Sequence, residues 1–262
     1  MVAGRTAMIS RGRLHGGGFT HVVCDAAVQE TGKDCVIMDE ITPDLLLQAY
    51  ASGIFPMAPD AESAELTWYL PEERGIMPLD GMHVPKKLMR LLMSGRMTVT
   101  ADRAFDDVML ACAEAAPGRE TTWISARIRH LYGVLHRQGN AHSIEVWDGE
   151  ALVGGLYGVS LRGAFFGESM FSRERDASKV ALVHLVAGLR QGRYTLLDTQ
   201  YTTPHLTGLG GIGIPAEDYQ SLLHQALTVR AVWPDDFSLQ ALRESIASLR
   251  SLPGRAPAGD PP

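Results

Sequence analysis

Residues 164–200 constrain the fold more than any other stretch of this chain. Ala164 to Glu168 alternates as a strand, Asp176 caps a helix running to Gln191, Gly192 ends it, and Tyr194 to Thr199 returns as a strand. A strand, helix, strand unit of this length closes as a right-handed parallel crossover. Its two strands point the same way, so Glu168 and the pair Asp198 and Gln200 lie toward carboxyl ends, where open α/β sheets form a ligand crevice. Asp198 and Gln200 stand two apart in a strand and are expected to share one face and address one bound group. The helix start after Asp176 adds backbone N–H groups and a positive dipole end, with Ser178 and Lys179 in its first turn.

The flanking patterns fill out a mixed sheet. Thr42-Pro43-Asp44 opens a helix with Leu45, Leu46, Ala49 and Tyr50 on its apolar face, and Gly53 stops it. A loop-rich stretch with Phe55-Pro56-Met57, Trp68-Tyr69 and Pro71 then runs toward Pro85. From there the spacing predicts a helix over 85–94, a strand over 97–101, and helices over 105–115 and 125–138. A hairpin follows, His142 to Trp147 returning as Ala151 to Val159, with Asp148-Gly149 as its two-residue turn signal. Further helices are expected over 216–229 and 238–249. The organisation read from this is a leader or mis-assigned start at 1–38 with Met38 the alternative beginning, a small N-terminal domain at 39–84, a catalytic domain at 85–250 and a disordered tail at 251–262. Antiparallel strands feeding one parallel crossover, with helices on both faces, make an α/β fold laid out like the N-acetyltransferase type, an analogy that fixes no function.

Composition narrows the classes. The longest apolar run, Val180 to Leu189, is interrupted by His184 and Gly188 and is too short for a bilayer. No apolar region of signal-peptide length follows the N-terminal arginines, and three cysteines without zinc or redox spacing suit a reducing cytoplasm. A formal charge of −6 argues against a general nucleic-acid coat, so nucleic acid would have to meet a local patch such as Lys86, Lys87 and Arg90, continuing to Arg96. That patch also reads as an ordinary solvated helix face.

Other motifs weigh against common alternatives. Gly208-Leu-Gly210-Gly211-Ile-Gly213 matches the dinucleotide fingerprint in letters, but it follows a short helix over 204–207 and runs into Ile214-Pro215. It reads as helix-ending glycines before a strand. The segment Ser172-Arg-Glu-Arg-Asp176 offers no glycine turn to cradle a coenzyme A pyrophosphate. His142 and Glu145, on one strand, read as a satisfied pair, and no His, Cys and carboxylate set has metal-ligand spacing, so no metal is expected. Leu156, Phe165, Leu185 and Leu189 fall at ordinary core positions, and Trp123 reads equally as packing or pocket.

Several segments in order resemble the leucyl/phenylalanyl-tRNA–protein transferase family over roughly residues 40–230: Gly53-Ile-Phe-Pro56, Thr122-Trp123-Ile124, Ala141-His-Ser-Ile-Glu-Val-Trp147, Gly154-Gly-Leu-Tyr-Gly-Val159, Gly167-Glu-Ser-Met-Phe-Ser172, Ala177-Ser-Lys179 and Asp198-Thr-Gln200. The resemblance implies an N-acetyltransferase-like C-terminal domain joined to a small N-terminal one. It implies transfer of Leu, Phe and less readily Met from Leu-tRNA, Phe-tRNA or Met-tRNA to proteins beginning with Arg or Lys, marking them for degradation. Neither coenzyme A nor ATP is implied, because the ester is already activated. Asp198, with or through Gln200, is then the candidate to take the proton of the attacking amine, and Gln200 also holds that amine in line. Glu168 binds the positive amine or orients the acceptor. By the same match Leu156, Phe165, Leu185 and Leu189 line the donor side-chain pocket, Trp123 lies near the adenosine, and Lys86, Lys87 and Arg90 contact the acceptor stem. A monomer is expected.

The chain departs from the family's pattern in places. Met57 stands where many members have Trp, Leu156 and Leu185 replace bulkier residues, and the 208–213 segment is richer in glycine. Two rivals stay open on the sequence. One is an acyltransferase using a thioester or another activated donor; the other is a non-catalytic adaptor for tRNA or basic N-termini.

Overall fold

The computed structural model describes residues 8–9, 23–24, 41–63, 65–115 and 121–250. The expected tail lies outside the described residues, as does the expected leader apart from two short strands, β1 (Met8–Ile9) and β2 (Val23–Cys24). Then come α1 (Pro43–Ala51), β3 (Phe55–Met57), β4 (Thr67–Tyr69), β5 (Glu73–Ile76), α2 (Lys86–Ser94), β6 (Thr98–Ala101), α3 (Phe105–Ala113) and α4 (Ala126–Arg137). The chain continues through β7 (Ala141–Asp148), β8 (Ala151–Leu161), β9 (Ala164–Ser172), α5 (Ala177–Gln191) and β10 (Leu196–Gln200). It closes with α6 (Pro204–Thr207), β11 (Ile212–Pro215), α7 (Ala216–Thr228) and α8 (Leu239–Arg250).

Seven strands form one sheet in the order β11-β5-β10-β9-β8-β7-β6. Every pairing in it is antiparallel except β9 with β10, the expected crossover. β5 comes from the stretch read as the small N-terminal domain, yet it sits inside this sheet between β11 and β10. Strand alternation divides the apolar side chains between two cores. Tyr157, Val159 and Phe166 face α1, α3, α4 and α7, whereas Leu156, Phe165 and Leu197 face α2, α5 and α8.

Local chemistry explains the element ends. The Thr42 hydroxyl accepts the N–H of Leu45 at the start of α1, and Ser125 accepts that of Ile128 at the start of α4. Asp176 occupies the cap position of α5 at φ 65° but accepts no capping bond; its carboxylate binds Lys179 at 2.7 Å instead, and Ser172 Oγ accepts the N–H of Ser178. The β7–β8 loop also differs from expectation by one residue. Asp148 is still paired, with Ala151, so the loop is Gly149-Glu150, with Gly149 at φ 60° in the first loop position that favours glycine.

Glycines in β8 allow the close packing around the crossover. A Cβ on Gly158 would press on the Phe166 carbonyl and the Phe165 ring. Gly158→Ala is therefore expected to destabilise the fold by roughly 1–3 kcal/mol, the usual cost of overpacking, lowering the midpoint of thermal unfolding. An unchanged midpoint would show that β9 gives way freely.

Candidate functional site

A buried carboxylate needs donors, and the sheet supplies Glu168 with three. The register of β8 and β9 shifts where Glu168 leaves the ladder, since Tyr157 faces Ser169 while Gly158 faces Gly167. Glu168 thus turns toward α1 and α4. Tyr50 donates to its Oε1 at 2.7 Å, Tyr132 to its Oε2 at 3.1 Å, and Gln200 Nε2 to its Oε1 at 2.8 Å. The two tyrosine hydroxyls are also hydrogen-bonded to each other. Burial pushes the Glu168 carboxyl up to about 7, further than its three donors pull it down, and Asp198 adds to the rise. Burial and the Glu168 charge hold the Tyr50 and Tyr132 hydroxyls well above their ordinary range, so both stay protonated donors.

Asp198 sits behind this group, fully enclosed. Arg74 Nε lies 2.9 Å from its Oδ1 and Nη2 2.6 Å from its Oδ2, while Tyr219 donates to Oδ2 at 2.6 Å and the Gln200 N–H to Oδ1 at 2.7 Å. The Arg74 guanidinium lies over the rings of Phe55 and Tyr219 and donates from Nη1 to the Gly53 carbonyl at 2.8 Å. Burial, the largest single influence, would lower the Arg74 pKa, but the charge and hydrogen bonds of Asp198, joined by Tyr219 and Glu168, together leave it raised.

The shared face expected for Asp198 and Gln200 takes a different form. Register shifts between them, and Gln200 adopts φ 61°, a left-handed conformation uncommon outside glycine. The turn points the Gln200 N–H at Asp198 and its carboxamide at Glu168. It also brings Tyr201 against Gly75, whose place would admit no Cβ. Asp198 therefore touches Gln200 rather than opening onto a common ligand.

The remaining expected residues fall in three places. Leu156, Phe165, Leu185 and Leu189 are buried together in the α5-side core. Trp123 is half-buried on the opposite side of the sheet, packed against the α1/α4 core, so it does not meet those four. Lys86, Lys87 and Arg90 are exposed on α2, whereas Arg96 is drawn into ion pairs with Asp148 and Glu174. His142 and Glu145 do not pair, because residues three apart in a strand face opposite sides. His142 binds Asp102 at 2.7 Å, and Glu145 accepts from Thr100 and Ser143.

Four residues of the cluster escaped the sequence reading. Tyr50 and Tyr132 were visible only as apolar helix positions, although a tyrosine in a core stripe implies a partner for its hydroxyl. Tyr219 carried a weaker signal, an aromatic with a polar tip, and Arg74 none, since it falls in the stretch that reads as loop-rich and only the structure shows it on a strand.

Stability should follow the Glu168 proton. Its folded pKa is raised, so between about 4.5 and about 7 the folded state holds a proton that the unfolded state has lost. The stability this gives is present below about 4.5 and is lost as pH rises through about 7, a swing on the order of 3 kcal/mol. Urea titrations at pH 5 and pH 8 should show that swing in the native chain and a flatter profile in Glu168→Gln; equal slopes would mean that Glu168 titrates normally.

The family model described as leucyl/phenylalanyl-tRNA protein transferase matches residues 76–224, and the model for the N-terminal domain of such transferases matches residues 39–72. A leucyl/phenylalanyl-tRNA–protein transferase of Gluconobacter oxydans is 90% identical over 225 residues, covering 86% of this chain and 100% of that protein. One from Afipia carboxidovorans is 56% identical over 198 residues, 76% of this chain and 86% of that protein. Another, from Rhodopseudomonas palustris, is 52% identical over 222 residues, 85% of this chain and 94% of that protein.

Proposed function

The chain belongs to the leucyl/phenylalanyl-tRNA protein transferase family, and we propose that it moves Leu or Phe, and less readily Met, from aminoacyl-tRNA to the N-terminal Arg or Lys of proteins, which are thereby marked for degradation. The observation that carries the proposed chemistry is the Glu168–Gln200 hydrogen bond just beyond the paired stretch of two parallel strands, with a carboxyl pushed up to about 7. An α-amine titrates near ~7.7–8.0, so a carboxylate of that basicity accepts its proton with little mismatch.

In this reading Glu168 takes the proton from the acceptor ammonium, and Gln200 holds the freed amine in line with the ester carbonyl. The carbon–nitrogen bond forms and the carbon–oxygen bond to the ribose breaks. Of the two protons the ammonium loses, one ends on the ribose hydroxyl and the other in solvent. Asp198, whose oxygens already accept from Arg74, Tyr219 and Gln200, positions Gln200 and takes no proton itself. That assignment reverses the roles expected for Asp198 and Glu168 from sequence.

Exposed Lys86, Lys87 and Arg90 contact the acceptor stem through phosphates, which position without reading sequence. Leu156, Phe165, Leu185 and Leu189 form the apolar wall that receives the donor side chain, and Trp123 serves the adenosine. The protein works as a monomer in the cytoplasm; among the described residues no helix is long and apolar enough to cross a membrane.

The test is transfer of labelled leucine from Leu-tRNA to a peptide beginning with Arg, beside the same peptide beginning with Ala, without coenzyme A or ATP. Transfer to the Arg peptide alone is expected. No transfer to either from an intact donor, or transfer only when coenzyme A is added, would contradict the reading.

A further inference from the structure

The parallel pair at the centre of the sheet is short. β10 follows β9 only from Leu196 opposite Ala164 to Asp198 opposite Phe166. Beyond Phe166, β9 runs on to Ser172 with β8 as its partner, whereas β10 swings to β5 and sets Gln200 opposite Gly75. Among the described residues, no strand and no turn or loop backbone group takes up the β10 side of residues 168–172, the last rung being the parallel pair Phe166–Asp198. Exposure changes at the same point. Ala164, Phe165 and Phe166 are buried, but Gly167, Ser169 and Met170 are partly exposed and Ser172 is exposed. The Glu168–Gln200 bond spans the inner end of the opening at 2.8 Å.

We propose that this free edge of β9 docks the acceptor protein, whose first residues add to the sheet as a strand, backbone to backbone, with the terminal amine at the Glu168–Gln200 end. The inference rests on the acceptor being a protein N-terminus, as proposed above. Two arguments choose this occupant over the donor. At roughly 3.3 Å per residue the edge extends for about 15–20 Å, which a peptide can follow and a single aminoacyl group cannot. Acceptors that share only a first residue also need downstream contacts indifferent to side chains, and strand addition supplies those through main-chain hydrogen bonds. The opening is continuous with the cluster where the amine must arrive, so docking and chemistry need no separate surfaces.

Peptides beginning with Arg, each carrying one N-methylated backbone amide at positions 3 to 7, test this on the intact protein with Leu-tRNA held constant. In a strand, successive N–H groups point to opposite sides, so only every second amide meets β9. KM should rise about tenfold, the loss of one good hydrogen bond, at alternate positions and change less than about twofold between them, with kcat kept. A flat profile would overturn strand docking and return the opening to the donor, and so would a steady decline from the N-terminus, which reports proximity alone. The unmodified peptide separates the two claims: if it accepts leucine and the alternation is missing, only the docking fails. If it accepts none, both readings fall together.

Discussion

A guanidinium and a carboxylate removed from water each cost several kcal/mol, and the Arg74–Asp198 pair offsets this only because every contact is made. Two guanidinium nitrogens meet the carboxylate, a third meets the Gly53 carbonyl, and two rings flank the charge. Four segments distant in sequence converge there: the loop after α1, β5, the end of β10, and α7 through Tyr219. The candidate site depends on this junction. Asp198 accepts the Gln200 N–H, which supports the left-handed backbone that turns the Gln200 carboxamide to Glu168.

From that point the two carboxylates diverge. Asp198 has a cation and two neutral donors, the Tyr219 hydroxyl and the Gln200 N–H, so its charge is fully matched and it serves as a fixed anchor. Glu168 has only neutral donors, and burial prevails over them. Two acidic groups on neighbouring strands thus acquire different chemistry from their partners, one structural and one able to hold a proton near neutral pH. Tyr50 and Tyr132 complete the division by tying α1 and α4 to Glu168, which couples the N-terminal helix to the sheet.

Much of the architecture was legible from 164–200. The crossover needs only the change of period from two to 3.6 and back, and the capping residues Thr42 and Ser125 mark helix starts through local chemistry. The misses were those that local pattern cannot carry. Arg74 lies 124 positions before Asp198, and no spacing rule links them. The turn at Gln200 is a tertiary outcome, forced by Gly75 and Asp198, whereas alternation alone predicts a flat strand. The hairpin shifted by one residue because glycine, not aspartate, takes the first loop position. Nor does local pattern say that the sheet lies between Trp123 and the four apolar residues Leu156, Phe165, Leu185 and Leu189.

If the buried ion pair acts on the reaction only by holding Gln200, its effect must vanish when the carboxamide is absent. The direct measurement is kcat for leucine transfer by Arg74→Lys, Gln200→Ala and the double variant, each checked for folding, since lysine keeps the charge but loses the paired geometry. The account predicts that both single changes slow the reaction and that the double variant matches Gln200→Ala within about twofold, the mark of residues acting as a unit. Losses that multiply would contradict it, placing Arg74 in the reaction by a route that bypasses Gln200.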